Sequence, residues 1–333
     1  MTPVINDLED TSTDFEGNSI MVHLFARCAL AICLCISVSV SNATVRGYDE
    51  RKPGSFDAHV LIYLKNSNAG PHAPCSGTAI TRTHVLTAAH CFQDEILKAT
   101  RSGIVSNSKV IVPACRSFPG GAVFGLNEYA IWSRDHTIKN GTVQYDAALI
   151  RLDRPICEQS LIARVPEQIP DEGVPIDTGI RHYGWYHPNL LPKGIFGDHA
   201  SKGTWISAKD YGEFPDYRAV FAEGVVEKVN RQPKGDANLI LHWLDTEQQG
   251  SGGGYLARVL ITRNGTSAPC VTDLLVGHHI GSVKNYNYGR EFSGDLIEWV
   301  KEELSKHGES FFFEKGKIEW LWDADSERVD ACG

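Results

Sequence analysis

From about residue 56 onward, the chain is a series of short apolar or alternating runs separated by turn-forming residues. Runs this short suit β-strands, because amphipathic helices need longer stretches. The 31 Gly and 15 Pro of the chain are typical of a protein with many turns. The pattern predicts an all-β sandwich or barrel. The clearest runs are residues 59–64, 85–87, 109–112, 147–152, 217–222, 239–243, 255–261 and 274–280.

The N-terminal 43 residues have a different character. Residues 1–20 hold five acids and no base, whereas Arg27 precedes an apolar stretch at 29–40 that is followed by Ser-Asn-Ala43. A basic start, a short apolar core and small residues at a cleavage site are typical of a secretory signal peptide. We therefore expect residues 21–43 to be removed after Ala43, and translation from Met21 would leave out the acidic extension. A membrane anchor is the alternative, but the apolar stretch is shorter than the roughly 20 residues that a span needs.

Six of the nine cysteines follow this signal segment. An even number of cysteines in an exported chain indicates disulfides, and counting alone allows 15 connectivities. No Cys-x-x-Cys or His-Glu-x-x-His spacing indicates a metal site. We therefore expect a secreted, extracellular, disulfide-bonded protein without a metal. The six cysteines are Cys75, Cys91, Cys115, Cys157, Cys270 and Cys332.

Two further features limit the function and complete the organisation of the chain. The net charge of −9 argues against nucleic acid as a partner. A helix is expected at about 293–306, because Ser293 can cap it and Leu296, Val300 and Leu304 recur at helical spacing. The acidic, aromatic tail at 307–333 is expected to pack on the body as a strand or loop rather than to bind a partner.

The segment Cys75–Cys91 contains an apolar strand followed by Thr-Ala-Ala-His-Cys. It resembles the stretch of trypsin-like serine proteases that begins at a half-cystine, crosses a hairpin and reaches the catalytic histidine. The resemblance implies that His90 is the general base. It also implies a disulfide between Cys75 and Cys91 that fixes the loop of His90.

Two later segments carry the same resemblance. Asp146 precedes an apolar strand as the family's Asp-Ile-Ala-Leu-Leu segment does, and Ser251 in Gln249-Gly-Ser-Gly-Gly253 matches the nucleophile loop. In this chemistry the carboxylate fixes the tautomer of the imidazole and stabilises the imidazolium. The resemblance therefore implies a triad of His90, Asp146 and Ser251, with the N–H groups of Gln249 and Ser251 as oxyanion donors.

The resemblance implies a chymotrypsin-like fold of two packed six-stranded antiparallel β-barrels with a C-terminal helix. His90 and Asp146 would come from the first barrel and Ser251 from the second. Keeping one disulfide in each half pairs Cys115 with Cys157 and Cys270 with Cys332. The implied protein is a monomeric serine endopeptidase with protein or peptide substrates, protein inhibitors as further partners, no cofactor and no stable membrane association. The expected bounds are 44–306 for the peptidase domain, about 44–160 and 161–290 for its barrels, and about 293–306 for its helix.

The nucleophile loop departs from the family's Gly-Asp-Ser-Gly-Gly at Gln249 and Gly250. The family's Asp pairs with a new N-terminus, Ile-Val-Gly-Gly, released when a zymogen is cut. The matching stretch here, Val45-Arg-Gly-Tyr48, follows Thr44 rather than a basic residue. Because a buried, unpaired Asp would be costly, the loss of both partners is coherent, and we expect no tryptic activation cut. If the family geometry requires Gly where Gln249 stands, the alternative is a catalytically inactive, protease-like binding protein.

Two readings of substrate preference remain open. Asp245 stands six residues before Ser251, where trypsins carry the Asp that pairs with Arg or Lys, and this favours cleavage after basic residues. However, Gly277–Gly281 resembles the Gly-Ile-His-x-Gly strand of glutamyl endopeptidases, in which residues matching Thr246 and His279 bind a substrate carboxylate. Ser282 ends the same pocket-lining segment and is a further candidate for substrate binding.

Overall fold

The computed structural model describes residues 51–54, 56–64, 74–92, 107–115, 122–132, 146–157, 162–191, 206–230, 238–246, 248–263, 268–283, 286–321 and 332. All of them belong to the unit that spans Ala43–Gly333. The acidic extension, the expected signal peptide and the stretch Val45–Tyr48 lie outside the described residues.

The described residues form seventeen strands and one α-helix, α1 (Gly294–Ser305). In chain order the strands are β1 (Lys52–Pro53), β2 (His59–Tyr63), β3 (Cys75–Ala79), β4 (His84–Thr87), β5 (Lys109–Ile111), β6 (Val123–Ile131), β7 (Ala148–Leu152), β8 (Val165–Pro166), β9 (Gly179–Tyr186), β10 (Arg218–Val225), β11 (Lys228–Asn230), β12 (Leu239–His242), β13 (Gly254–Thr262), β14 (Cys270–Val283), β15 (Tyr286–Glu291), β16 (Phe313–Glu314) and β17 (Lys317–Trp320).

The first half is a closed antiparallel barrel in the order β2-β3-β4-β7-β6-β5. Its strand β2 shows how the sequence produces this arrangement. Val60 and Ile62 belong to the main core, whereas Leu61 packs with Trp185 and Ala219 of the second half. Because both faces of β2 are buried, the strand is apolar at successive positions instead of alternating. The six-stranded barrel and the mostly β fold agree with the chymotrypsin-like fold predicted from the sequence.

The second half is a nine-stranded antiparallel sheet in the order β1-β10-β9-β13-β14-β15-β12-β11, with β17 paired to β13. Six strands were expected for the second barrel, whereas this sheet has nine, namely β9 to β15 together with β1 and β17. Strand β1 lies within the residues assigned to the first barrel, yet it pairs with β10 of the second half.

Helix α1 buries Leu296, Val300 and Leu304, as its sequence spacing predicts. Ser293 occupies the N-cap position, but its side chain makes no cap hydrogen bond. The Ser293 hydroxyl instead accepts the N–H group of Asn238 at 3.4 Å. The residue that was expected to cap the helix therefore connects the helix to the residue just before β12.

The tail after α1 packs on the body. Strand β16 pairs with β8 and strand β17 with β13, and Phe311 is buried in the main core. Disulfides join Cys75 to Cys91, Cys115 to Cys157 and Cys270 to Cys332, the three pairs predicted from the sequence. The third disulfide ties the end of the tail to β14.

Candidate active site

His90 and Asp146 meet at one end of two paired barrel strands. Strand β4 pairs with β7 so that Thr87 faces Ala148. His90 follows β4 in a 3-10 turn, Ala89–Phe92, and Asp146 lies two residues before β7. Both residues therefore emerge at the same end of this antiparallel pair. The sequence positions them because each stands within three residues of a strand that is mostly apolar and mostly buried.

The Asp146 carboxylate accepts hydrogen bonds from the backbone nitrogen and from the ring Nδ1 of His90. The Nδ1–H group of His90 donates to Oδ2 of Asp146 at 2.6 Å, and the backbone N–H group of His90 donates to Oδ1 at 2.9 Å. Because Nδ1 carries the proton, Nε2 is the basic nitrogen of the neutral ring. This is the tautomer that a general base requires.

Opposing effects set the pKa values of this pair. Burial raises the pKa of Asp146, but the charge of His90 and the hydrogen bonds from it outweigh burial and leave that pKa lowered. Burial lowers the pKa of His90, but the charge of Asp146 and its hydrogen bond outweigh burial and leave that pKa raised above 6.5. Asp146 is therefore ionised at neutral pH and stabilises the protonated form of His90.

The raised pKa of His90 predicts the acid limb of the pH profile. A general base must be neutral, so kcat/KM for a peptide substrate should fall as the pH falls, with a midpoint above 6.5, the ordinary value for histidine. Replacing Asp146 with Asn should move this midpoint downward, because it removes the charge that raises the pKa. Steady-state rates between pH 5 and 9 measure both midpoints. A midpoint that Asp146→Asn leaves in place would assign the limb to another group.

A second buried histidine supports this arrangement from β14. His278 donates its Nε2–H group to the backbone carbonyl of Asp146 at 2.7 Å. Burial lowers the pKa of His278 to about 4, so the ring is neutral and the bond has a single direction. The bond ties the second half of the protein to the turn that carries Asp146. Sequence reasoning gave His278 no role, because in the strand it is only the neighbour of His279.

Ser251 lies against the disulfide that adjoins His90. Its carbonyl accepts the backbone N–H group of Ser76 at 2.9 Å and lies 4.0 Å from the Sγ atom of Cys91. The next residue, Gly252, donates its N–H group to the carbonyl of His279 at 2.8 Å. The nucleophile loop is thus held between the first barrel and β14, and this contact brings Ser251 to the segment that carries His90.

Gly252 occupies a position that admits no side chain. Its φ angle is +81°, and a Cβ atom there would lie 2.0 Å from Oγ1 of Thr87 and 2.4 Å from the carbonyl oxygen of Ser76. The loop passes this close to the strand leading to His90 only because residue 252 is glycine.

Gly250 stands where the family carries the Asp of its activation ion pair. A Cβ atom at this position would lie 2.3 Å from Oη of Tyr186 and 3.0 Å from Nε2 of His182. Tyr186 is almost fully buried, and the guanidinium of Arg51 lies 4.8 Å from its ring centre. The space for an aspartate side chain is therefore filled by the side chains of β9, which gives the departure at Gly250 a steric reason.

Gln249 lies in a 3-10 turn, Gln248–Gly250. Among the described residues Asp177 is the one non-glycine residue with positive φ, so the backbone of Gln249 is in a region open to any residue. The N–H groups of a 3-10 turn point toward the carbonyl three residues earlier, which directs the N–H group of Ser251 toward the carbonyl of Gln248. Rotation of the peptide between Gln248 and Gln249 would move this carbonyl away from the N–H group of Ser251 and would turn the N–H group of Gln249, leaving both donors open to a substrate oxygen.

Three of the four candidate specificity residues are buried, and one is exposed. Asp245, Thr246 and His279 are 5%, 1% and 3% exposed, whereas Ser282 is exposed at the far end of β14. Ser282 is therefore open to solvent, whereas the other three candidates are enclosed by the protein.

His279 belongs to a chain of hydrogen bonds that sequence reasoning missed. The Oη atom of Tyr255 lies 2.7 Å from Nδ1 of His279 and 2.5 Å from Nε2 of His242. The backbone N–H group of Leu244 donates to Nδ1 of His242 at 3.1 Å. Burial first, and then neighbouring histidines, lower the pKa values of His242 and His279 well below 6.5, so both rings are neutral. The sequence signal was weak, since His242 and Tyr255 look like ordinary strand residues.

The bond from Leu244 to His242 determines the direction of the other hydrogen bonds in this series. Nδ1 of His242 accepts from Leu244, so the ring proton of His242 is on Nε2 and is donated to Tyr255. The single hydroxyl proton of Tyr255 is then donated to Nδ1 of His279. His279 consequently carries its own proton on Nε2 and offers that N–H group as a hydrogen-bond donor.

The described residues contain no group of three or more His, Cys, Asp or Glu side chains that could hold a metal ion. They also contain no helix that is both long enough and apolar enough to cross a membrane.

A closed six-stranded barrel, a second antiparallel sheet and a His–Asp pair beside a serine loop define a protein of the chymotrypsin fold. The Trypsin family model matches residues 45–193, so this part of the chain is similar to trypsin-like serine proteases. The matched residues include His90 and Asp146, whereas Ser251 lies beyond them.

Three known proteins are among those similar to this chain. A "Beta-fibrinogenase-like" protein of Daboia siamensis is 27% identical over 128 residues, which are 38% of this chain and 42% of that relative's length. A solved Glu endopeptidase is 20% identical with a TM-score of 0.48, covering 78% of this chain and 98% of its own. The VesB protease of Vibrio cholerae is 14% identical with a TM-score of 0.44, covering 76% of this chain and 67% of its own.

Proposed function

We propose that the protein is a secreted serine endopeptidase. The observation that carries the proposal is the hydrogen-bonded pair of His90 and Asp146 at the disulfide against which the Ser251 loop packs. The match of residues 45–193 to the Trypsin family model supports the same reaction class. Three disulfides are typical of proteins that fold in an oxidising compartment and support secretion.

In this proposal the hydroxyl of Ser251 attacks the peptide carbonyl while Nε2 of His90 takes its proton. Asp146 holds the ring and stabilises the imidazolium that results. The N–H groups of Gln249 and Ser251 receive the oxyanion after rotation of the Gln248–Gln249 peptide, and one such donor contributes about 3–4 kcal/mol in a serine protease of a different fold. His90 then protonates the leaving amine, and water hydrolyses the acyl-enzyme.

A fluorophosphonate probe tests the proposal. The mature protein should take one label, and peptide mapping should place it on Ser251. The Ser251→Ala variant is the matched control and should take none. Absence of label on a folded, monomeric protein would contradict the proposed function.

One observation favours a second function, that of an inactive, protease-like binding protein. The 3-10 turn at Gln248–Gly250 directs the N–H group of Ser251 toward a carbonyl instead of a substrate. If the turn persists when a peptide binds, the protein would bind peptides without cleaving them. Peptide binding measured by calorimetry, together with no labelling of Ser251, would support this second function.

We infer that the specificity pocket prefers a glutamate side chain over a basic one. The position of Asp245 in the sequence favoured basic residues, but the hydrogen-bond chain from Leu244 to His279 supports the alternative. It offers a neutral N–H donor at Nε2 of His279, which suits a carboxylate acceptor and opposes an ammonium or guanidinium group. A hydrogen bond from this donor to a carboxylate is charge-assisted and therefore stronger than a neutral one.

Matched peptides test this preference. With Glu or Arg before the scissile bond, kcat/KM should favour Glu by about tenfold or more, which is about 1.4 kcal/mol or more. Tyr255→Phe removes the group that fixes the tautomer of His279, so it should remove most of the preference for Glu. Tyr217→Phe alters another buried tyrosine, in a separate core cluster, and should leave the ratio unchanged. Faster cleavage after Arg that is lost in Asp245→Ser would instead support a pocket for basic residues.

A further inference from the structure

Ser76 is fully buried in β3 and connects three elements around the nucleophile loop. Its hydroxyl lies 3.0 Å from the carbonyl oxygen of Gln249 and 2.8 Å from the backbone nitrogen of Trp185. Its backbone N–H group donates to the carbonyl of Ser251 at 2.9 Å. Its own carbonyl accepts the hydroxyl of Thr87, at the end of the strand leading to His90, at 2.7 Å.

The direction of the two hydroxyl bonds is determined by their partners. The backbone N–H group of Trp185 can only donate, so the Ser76 oxygen accepts there. The carbonyl of Gln249 can only accept, so the single hydroxyl proton of Ser76 goes to it. Ser76 and Trp185 are both 0% exposed. Because neither residue is open to solvent, a water molecule could replace this hydroxyl only after the surroundings rearrange. Loss of the hydroxyl would therefore leave the N–H group of Trp185 and the carbonyl of Gln249 without this partner, and buried backbone groups without a hydrogen-bond partner are rare and costly.

The bonds of Ser76 lie on both sides of the Gly250–Ser251 peptide. The side chain holds the carbonyl before this peptide, and the backbone holds the carbonyl after it. The segment from the Gln249 carbonyl to the Ser251 carbonyl is therefore fixed to β3, and the rotation that would expose the oxyanion donors is confined to the peptide before Gln249. Gly250 also leaves the loop without the aspartate that forms the family's activation ion pair.

We propose that Ser76 is a positioning residue that holds the loop of Ser251 in register with His90. This proposal rests on the proposed endopeptidase function and adds to it the group that orients the nucleophile loop. Ser76 touches neither substrate nor reacting atoms and acts through the backbone of Gln249 and Ser251.

The experiment compares Ser76→Ala with Thr78→Val. Thr78 lies on the same face of β3, is 1% exposed, and its hydroxyl has no hydrogen-bond partner among the described residues. Ser76→Ala should lower kcat by up to about 10²-fold, as expected for a small misplacement of reacting groups, and should change KM by less than about twofold. The rate of fluorophosphonate labelling should fall by the same factor. Thr78→Val should change none of these, and Ser76→Thr, which keeps a hydroxyl, should recover most of kcat.

Hydrogen exchange separates a failure of this proposal from a failure of the proposed function. In Ser76→Ala, the amides of Trp185 and of the loop at 249–253 should lose protection, whereas in Thr78→Val they should keep it. A parent protein that takes no label, but shows this loss of protection in Ser76→Ala, would overturn only the endopeptidase function. Unchanged kcat or unchanged protection in a folded Ser76→Ala variant would overturn the positioning role, as would an effect confined to KM.

Discussion

Replacement of Asp146 by Asn should lower kcat by about 10⁴-fold, as the same change does in a related protease. Asp146 accepts two hydrogen bonds from His90, one from the backbone and one from Nδ1. An Asn side chain has one acceptor oxygen, so if that oxygen binds the backbone N–H group, the amide NH₂ faces Nδ1. His90 would then keep its proton on Nε2 and could not accept one from Ser251.

Steady-state rates on a peptide substrate measure this effect, and Asp153→Asn is the matched control. Asp153 follows the same strand, β7, and its side chain is exposed beside Arg154. The control should stay within about twofold of the parent, since surface substitutions rarely change more than a few tenths of a kcal/mol. A loss of only about tenfold in Asp146→Asn would mean that His90 is not the general base, and that the pair has a structural role.

The Gly252→Ala variant should lose about 2–5 kcal/mol of its free energy of unfolding, and hydrolysis with it. The positive φ angle costs about 1–2 kcal/mol for a residue with a Cβ atom. The overlap with the Ser76 carbonyl and Thr87 adds about 1–3 kcal/mol of the kind seen when a packed core receives an extra methyl group. The clash partly involves backbone, so relief would move either Ser251 or the strand leading to His90.

Gly308→Ala separates these two contributions. Gly308 also has a positive φ angle, +69°, but nothing lies within 4 Å of a Cβ atom there. Its variant should therefore lose only the backbone contribution, about 1–2 kcal/mol, and should retain full activity. Urea unfolding followed by fluorescence gives both free energies. Equal losses in the two variants would show that the contact of the loop with β3 is looser than these distances indicate.

The all-β class was predictable from local sequence, whereas the chymotrypsin-like fold and the His–Asp pair were implied by the resemblance to trypsin-like proteases. The short apolar runs reappear as strands such as β2 and β7, and the residues flanking β4 and β7 meet because these two strands pair. The cysteine pairing followed from the division of the chain into two halves, each of which keeps its own disulfide. The helix was predicted from its buried face, whereas its cap bond was wrong, because Ser293 binds Asn238 of another segment.

Contacts made by ordinary strand residues were not predictable. Ser76, Tyr255 and His242 carry no motif, and their partners come from distant parts of the chain. The reason for glycine at position 250 was equally unpredictable, since the sequence showed that the family's aspartate is missing but not that Tyr186 fills the space of its side chain. Each of these depends on which face of a strand meets which neighbour, and that is set by the register between strands.

The sequence alone determined the all-β class, the order of the candidate triad residues and the absence of the activation ion pair's aspartate, because each can be seen within a short segment. Only the tertiary structure decided how the Ser251 loop is held and which donor His279 offers, because those depend on the directions of hydrogen bonds between β3, β9, β12, β13 and β14. A hydrogen bond has a direction only when both partners are known, and the partners here are far apart along the chain.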